Sequence, residues 1–376
     1  MPFEQAVEEV WLNQRTRVEE STLRRTTHRH GAAAEMIEQA EAERIEREKP
    51  TPTAKPKKAL VSADGAFIHL TSGDWREVKT LVIGEFDTVW NARSGKTEVK
   101  TTNLSYFSRS YPIRKFELGA LAEMHRRGLE NADLAVTVND GSSWIQSFIE
   151  YHLQPGVVRI LDFRHATDYL VAAGQAVLGQ ESDAYRRWIE RMTRQLKEKP
   201  PARTLADLKL LEVKAQTEEQ ETSVAQAYHY LQRREGQIDY PHFQKRGFPI
   251  GSGSAESSHK VVVHSRMKQA GMRWAEAHVD PLLALRNLVC NGRWSEGWRQ
   301  IGIHYWQRQR QEFIEHARRQ RPVVPPIVLP PAPKETPTIK EVCVQSDQSA
   351  KQPYRPDANH PWRRDLWPTK ESWRWR

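Results

Sequence analysis

Residues 59–179 combine β-rich and helical patterns in an order that restricts the fold. The runs ALVSADGAFIHL, VKTLVIGEFDTVW and KTEVKTTNLSYFSRSY are β-rich, and the turn-like sequence TSGDWRE separates the first two. Two further strand patterns, DLAVTVND and VVRILDF, then alternate with three helical patterns: FELGALAEMHRRGLENA, SSWIQSFIEYHL and HATDYLVAAGQAVLG. Three strands that can form a meander, followed by strands that alternate with helices, predict a mixed α/β sheet.

The sequences around this region are helical or extended. Helical patterns occur before residue 50, between residues 181 and 247, and again in residues 254–318. We therefore predict six segments: a helical N-terminal segment (1–49), a Pro- and Lys-rich linker (50–58), the first part of the α/β domain (59–180), an all-helical insertion (181–247), the last part of the α/β domain (248–318), and a Pro-rich extended tail with Trp and Arg (319–376).

Two predicted helices with a tight join occupy the start of the chain. FEQAVEEVWLNQ predicts the first helix, and TRVEESTLRRTTHRHG predicts a second helix that ends near Gly31. The second helix carries Arg24 and Arg25 among its basic residues. This pattern is typical of part of a helix-turn-helix that binds DNA. Alternatively, the basic residues form the solvated face of an amphipathic helix.

Charge and cysteine content narrow the class of protein. The net charge of +9 favours a nucleic acid or another anionic partner. The two cysteines, Cys290 and Cys343, are far apart and form no CxxC pair, which argues against a disulfide framework and a cysteine-based zinc site. No apolar run approaches the ~20 residues of a membrane helix, and the N-terminus lacks the apolar core of a signal peptide. We expect a cytoplasmic protein with no membrane partner.

Three acidic residues lie at positions where a mixed sheet can bring them together. Asp64 lies inside the first predicted strand, Asp140 ends the fourth, and Glu256 begins a late helix in IGSGSAESSHK. Ligands of α/β sheets bind near the carboxyl ends of strands. Each acid also has a structural interpretation, because Asp-Gly is a common turn pair and a first-turn Glu is favoured by the helix dipole.

Together, Asp64, Asp140 and Glu256 predict a site for two divalent cations. Mg²⁺ prefers oxygen ligands and bridges carboxylates and phosphate groups. Two ions roughly 3.5–4 Å apart activate an attacking hydroxyl and stabilise the leaving oxygen of a phosphodiester. The expected cofactors are therefore two Mg²⁺ or Mn²⁺ ions, and we expect no nucleotide cofactor.

A basic segment without acids follows Glu256 and extends to Glu276. Its basic residues are Lys260, Arg266, Lys268 and Arg273, together with His259 and His264. Contacts of these Lys and Arg residues with DNA phosphates would give an affinity that falls steeply with salt. Trp274, which follows Arg273, either stacks on DNA or belongs to the core.

Four stretches of the sequence carry a resemblance to a known family. They are SADGAFIHL with DWREVKTLVIGEF, VNDGSSWIQ, RILDFRHATDYL, and the most specific one, IGSGSAESSHKVVVHSRMKQAGMRW. Over about residues 59–300 the chain resembles ISKra-type bacterial insertion-sequence transposases, which belong to the Mutator-like group of DDE transposases. The resemblance implies a ribonuclease H-like catalytic domain, interrupted by an all-helical insertion before the last acid. It also implies that Asp64, Asp140 and Glu256 form a DDE triad that holds the two metal ions.

The stretch ILDFRHATDYL matches a signature of this group, "C or D, two residues, then H", at Asp162 and His165. Asp162 also follows an apolar strand, which makes it the rival of Asp140 as second metal ligand. We favour Asp140, because the signature is expected after the catalytic aspartate. His165 either positions the cleaved strand or forms a structural pair with Asp162.

The resemblance implies a nucleoid-associated transposase that binds the ends of its own element as a homo-oligomer. The enzyme would hydrolyse phosphodiester bonds to free 3′-hydroxyl groups and join these to target DNA. One alternative is a ribonuclease H-like nuclease without strand transfer. The other is a truncated, non-catalytic DNA-binding remnant, because family members usually carry a longer N-terminal DNA-binding region, often with zinc-ribbon cysteines that this sequence lacks.

Overall fold

A five-stranded mixed sheet forms the centre of the protein. The computed structural model describes residues 2–93, 95–152 and 156–319. The first three strands form an antiparallel meander, and the fourth and fifth run parallel to the first, in the order β3-β2-β1-β4-β5. This topology confirms the predicted mixed α/β sheet. The strands are β1 (Ala59–His69), β2 (Trp75–Asn91), β3 (Lys96–Arg109), β4 (Ala135–Asn139) and β5 (Val158–Leu161).

Helices precede, cover and follow this sheet. They are α1 (Phe3–Gln14), α2 (Glu20–Glu48), α3 (Ile113–Arg126), α4 (Ser143–His152), α5 (Phe163–Leu178), α6 (Asp183–Glu198), α7 (Pro201–Glu212), α8 (Glu218–Gln232), α9 (Tyr240–Lys245), α10 (Gly253–Ser258), α11 (Ser265–Met267), α12 (Glu276–Cys290) and α13 (Trp294–Arg319). A π-helical segment, His259–His264, joins α10 to α11. Short 3₁₀ turns occupy Leu129–Asn131 and Glu235–Gln237.

Successive side chains of β1 pack into cores on opposite faces of the sheet. Val61 and Ala63 pack into a core with α3 and α4, whereas Leu60 packs into a second core with β4, β5 and α5–α9. This alternation follows from the two-residue period of a strand. Farther along β1, Ile68 joins a third core with the π-helical segment and α12. The segment that carries Glu256 packs against β1 and β2.

The predicted end of a helix near Gly31 is wrong, because α2 continues through Gly31 to Glu48. Glycine commonly ends a helix, which was the basis of the prediction. In the structure Gly31 is buried, and a Cβ atom there would lie 2.3 Å from the Pro281 carbonyl oxygen. The glycine therefore permits close packing of α2 on α12. Because α2 also contacts α3 and α13, this helix is packed on the α/β body.

Helices α6–α9 account for the helical pattern predicted between residues 181 and 247. Their apolar side chains, among them Leu196, Leu208 and Leu231, are buried in the second core. The chain then returns to the beginning of α5, where the backbone N–H of Phe163 donates to the carbonyl oxygen of Ile250 at 2.9 Å. We call residues 181–247 the helical excursion.

The C-terminal region is largely helical, as predicted, with breaks at residues 268–275 and 291–293. None of the helices in the described ranges is both long enough and apolar enough to cross a lipid bilayer. Apart from Arg319, which ends α13, the predicted Pro-rich tail lies outside the described residues. The predicted division into segments stays a prediction.

Candidate functional site

Polar groups join the first half of β1 to the carboxyl-side end of β4. The hydroxyl of Ser62 donates to the Val138 carbonyl oxygen at 2.8 Å, and the backbone N–H of Ala63 donates to Oδ1 of Asn139 at 2.6 Å. All four residues are buried. Because these bonds fix β1 beside the end of β4, Asp64 within β1 and Asp140 directly after β4 have defined positions relative to each other.

Asp64 follows Ala63 directly and points toward a crowded, partly buried region. Its Oδ1 accepts from the backbone N–H of Gly65 at 2.7 Å, and its Oδ2 lies 3.4 Å from Nδ1 of His259. The pKa of the Asp64 carboxyl is raised to about 6, mainly by burial. Three further acids also raise this pKa through their negative charges: Asp140, Asp162 and Glu77. The carboxyl groups of β1, β4 and β5 therefore lie within electrostatic range of one another.

Asp140 begins a tight turn directly after β4. Its Oδ1 accepts from the backbone N–H of Ser142 at 2.8 Å, and its carbonyl oxygen accepts from the Tyr230 hydroxyl at 2.8 Å. Gly141 has a φ of 78°, and a Cβ atom there would lie 2.5 Å from the Tyr230 hydroxyl oxygen. Glycine is required at this position by both conformation and space. Because Tyr230 lies in α8, the helical excursion supports the turn that presents Asp140.

Asp162 is buried, and both of its carboxylate oxygens accept hydrogen bonds from the backbone. Oδ1 accepts from the N–H of His165 at 2.8 Å and caps α5, and Oδ2 accepts from the N–H of Ser252 at 2.5 Å. This geometry is that of a structural anchor, which ties the loop before α10 to the end of β5. The imidazole of His165 packs edge-on against the rings of Tyr169 and Tyr230.

Glu256 lies in α10 at the protein surface. Its side chain is exposed, and its Oε1 accepts from the Lys260 ammonium at 2.9 Å. This bond and the positive charge of Lys260 lower the pKa of Glu256. Within the described ranges, no group of three or more His, Cys, Asp or Glu side chains is arranged to hold a metal ion. The structure thus brings Asp64 and Asp140 together and leaves Glu256 paired with Lys260.

His259 is a site residue to which the sequence analysis assigned no role. It is 5% exposed in the π-helical segment, beside Asp64, and its Nε2 has no hydrogen-bond partner in the described part of the chain. Burial lowers its pKa, so the imidazole is neutral near pH 7. Segments of π-helix are frequent at functional sites. The spacing of His259 three residues after Glu256 would place both on one side of a regular helix. In the structure His259 is buried and Glu256 is exposed, so this spacing was not a sufficient signal.

The predicted DNA-contacting residues after Glu256 divide into exposed and packed side chains. Lys260, Lys268 and Arg273 are exposed, whereas Arg266 is half-buried. Trp274 is also half-buried, and its indole N–H donates to the Met267 carbonyl oxygen at 2.9 Å. In this conformation Trp274 belongs to the third core, which is the structural alternative considered for it.

Arg24 and Arg25, near the start of α2, are exposed. Arg24 forms an ion pair with Glu20, and Arg25 donates to the Thr22 hydroxyl at 3.3 Å. The guanidinium of Arg24 also lies 5.7 Å from the centre of the Phe3 ring.

Replacement of Asp162 by alanine is expected to lower the free energy of unfolding by about 1–3 kcal/mol. The change removes a helix cap and leaves the partly buried Ser252 N–H without its acceptor. Urea unfolding of the variant measures the effect, with Asp168→Ala as control, because Asp168 is an exposed acid of the same helix. An equal effect in both variants would contradict the anchoring role of Asp162.

The chain matches no protein-family model and no curated protein. Its function is therefore inferred from the arrangement of its own residues and from the resemblance described above.

Proposed function

We propose that the protein is a DDE transposase, which cleaves phosphodiester bonds at the ends of its insertion sequence and joins the 3′-hydroxyl ends to target DNA. One observation carries the proposal: Asp64, within β1, and Asp140, directly after β4, lie on neighbouring parallel strands and within electrostatic range of each other. The basic segment that begins with Glu256 lies against the same part of the sheet.

The topology supports a ribonuclease H-like catalytic domain as the finer description of the fold. An antiparallel meander of three strands, followed by two parallel strands in the order 3-2-1-4-5, agrees with the element order that the resemblance implies. The helical excursion also lies between β5 and the helix of Glu256, as the all-helical insertion of that resemblance would.

The chemistry of the acidic residues fits a site for divalent cations, although the third proposed ligand, Glu256, is paired with Lys260 in the structure. Carboxylates of Asp64 and Asp140 are hard oxygen donors of the kind that Mg²⁺ and Mn²⁺ prefer. Glu256 is held by an exposed ion pair with Lys260, four residues later on the same helix. Such exposed pairs contribute little stability. Glu256 can therefore leave Lys260 at small cost and complete the set of three carboxylates.

In the proposed reaction, the protein positions the DNA strand and holds the charges around the scissile phosphate. When bound, two Mg²⁺ or Mn²⁺ ions supply activation of the attacking oxygen and stabilisation of the leaving oxygen. Asp64 and Asp140 are fixed by backbone hydrogen bonds to Gly65 and Ser142, so their positions are set before DNA binds. The exposed ammonium and guanidinium groups of Lys260, Lys268 and Arg273 are available to the phosphates on either side.

The proposal is tested with purified full-length protein and DNA that carries the inverted repeats flanking its gene. We expect strand cleavage at the repeat ends and joining to a target duplex, both dependent on Mg²⁺ or Mn²⁺ and both absent with EDTA. The Asp140→Asn variant is the inactive control, because asparagine keeps the oxygen that accepts from Ser142. A homo-oligomer on the DNA ends is expected in the same mixtures.

The products separate the two alternatives from the proposal. Metal-dependent cleavage without joining would replace the transposase by a ribonuclease H-like nuclease. Binding to the repeats without cleavage, with either metal ion, would leave a non-catalytic DNA-binding protein. Activity that survives in Asp140→Asn but is lost in a folded Asp162→Asn variant would exchange the second metal ligand.

A further inference from the structure

Basic side chains from distant parts of the sequence converge on the ring of Phe3 in α1. The guanidinium carbon of Arg24 lies 5.7 Å from the ring centre, and that of Arg266 lies 5.3 Å from it. The imidazole of His28 contacts the same ring edge-on, with 6.0 Å between ring centres. The helices at the start of the chain are thereby joined to the basic segment that follows Glu256.

A second histidine extends this group of basic residues. The rings of His28 and His278 are stacked, with 3.7 Å between their centres and 15° between their planes. Nδ1 of His28 is buried and has no hydrogen-bond partner in the part of the chain that the structure describes. Burial, followed by the positive charges of His278, Arg24 and Arg266, lowers the pKa of His28 to about 4. Several basic side chains therefore lie close together around His28.

Arg266 has no carboxylate partner among the described residues. Its pKa is lowered by burial and by the positive charge of Arg286. The guanidinium of Arg286 donates to a backbone carbonyl and to the Ser265 hydroxyl, which leaves its charge unbalanced as well. We name these five residues the Phe3 cluster: Arg24, His28, Arg266, His278 and Arg286.

Three acids that are close in sequence to members of the Phe3 cluster already have partners, one of them within the cluster. Glu20 is paired with Arg24 itself, and Glu276 is paired with Arg76. The Asp280 carboxylate accepts from both the backbone N–H and the hydroxyl of Ser110. Within the described ranges Arg266 and Arg286 have no carboxylate partner, and a bound anion would offset their positive charge.

We propose that the Phe3 cluster binds a backbone phosphate of the DNA, and that the N-terminal helices complete this site together with Arg266. The proposal rests on the DNA-binding part of the proposed function. A guanidinium group matches the geometry of a phosphate, and the half-buried position of Arg266 against Phe3 and Trp274 holds it in place. Contacts of this kind position DNA without reading its sequence. Arg24 then acts as part of a shared phosphate site and not as part of a base-reading helix.

The salt dependence of DNA binding tests the proposal. Fluorescence anisotropy of a labelled repeat-end duplex gives log K against log [KCl] for the full-length protein. Arg266→Met is expected to lower the slope by about 0.9, because one phosphate contact is lost, and to weaken binding equally for matched and scrambled sequences. Arg266→Lys keeps the charge and is expected to keep the slope. Arg187→Met, which removes an exposed arginine of α6, is the matched control and is expected to behave like the wild type.

A second measurement follows the histidines directly. In NMR titrations, addition of the duplex is expected to raise the pKa of His28 in the wild type but not in Arg266→Met. Inorganic phosphate at the same ionic strength is the comparison that separates a free anion from a DNA phosphate. If inorganic phosphate raises the pKa of His28 while Arg266→Met keeps the wild-type salt slope for DNA binding, that combined result would overturn the assignment to DNA.

The failures of the two proposals are distinguishable. A wild-type slope in folded Arg266→Met would overturn the role of the Phe3 cluster, even if the protein cleaves and joins DNA. Conversely, a reduced slope in Arg266→Met would support the cluster even if cleavage is never observed.

Discussion

Replacement of Asp64 by asparagine is expected to abolish strand cleavage while the protein stays folded and gains thermal stability. Residues that merely orient a metal ligand contribute about 10–100-fold to activity, so loss of a ligand itself is expected to cost at least about 100-fold. Asparagine keeps the oxygen that accepts from the Gly65 N–H, so the local backbone is preserved.

The gain in stability follows from the charge of Asp64. Its pKa is raised from 3.8 to about 6 in the folded protein, mainly by burial. The folded state therefore binds the proton more tightly than the unfolded state, and the ionised group destabilises the wild type as the pH rises through that interval. The difference in Tm between Asp64→Asn and the wild type is expected to be small near pH 4 and to be complete above pH 6.

Differential scanning fluorimetry in EDTA at several pH values measures this difference, and the cleavage assay measures activity. Asp168→Asn serves as the control, because this exposed acid lies outside the site. A variant of Asp64 that loses both activity and stability would show that the carboxylate is structural. A residue whose removal stabilises the fold but abolishes the reaction is typical of an active site.

Replacement of Gly31 by alanine is expected to lower the free energy of unfolding by about 1–3 kcal/mol, because the added methyl group overlaps a rigid backbone carbonyl. The ideal Cβ position lies 2.3 Å from the oxygen and 2.7 Å from the carbonyl carbon of Pro281. Either α2 or α12 must move, and both are packed in the same core.

Gly302→Ala is the matched control for this prediction. Gly302 is also a helical glycine, in α13, but a Cβ atom there would have no neighbour within 4 Å. Alanine is a better helix former than glycine by up to about 1 kcal/mol, so Gly302→Ala is expected to stabilise the protein slightly. Urea denaturation of both variants gives the comparison. Stabilisation by both changes would show that the contact between α2 and α12 adapts without cost.

Local patterns were sufficient to predict the succession of strands and helices along the chain and the places of Asp64 and Asp140 on it. The β-rich run around Val61 and Ala63 marks β1, and the apolar run that precedes Asp140 marks β4. These features depend on neighbours in the sequence, so the sequence alone reveals them. Pairing of β1 with β4 then places Asp64 close to Asp140.

Features that depend on distant partners were not predictable in this way. Gly31 is explained by Pro281, which lies far along the chain, and not by its own helix. The position of His259 beside Asp64 depends on the packing of the π-helical segment on the sheet, which the local sequence does not specify. Lys260 was visible four residues after Glu256, but the sequence does not decide whether Glu256 faces this lysine or the aspartates.

The hydrogen bond between Asp162 and Ser252 joins the chain on either side of the helical excursion, next to the candidate site. These two residues are 90 positions apart in sequence, yet they are joined by one hydrogen bond. The entropy of closing a loop grows only slowly with its length. Insertions and deletions within the excursion can therefore accumulate while Glu256 keeps its place above the sheet. The contacts of the excursion with the Asp140 turn and with the end of β5, made by Tyr230 and Tyr240, limit this freedom, so sequence changes at these two positions would first reach the candidate site.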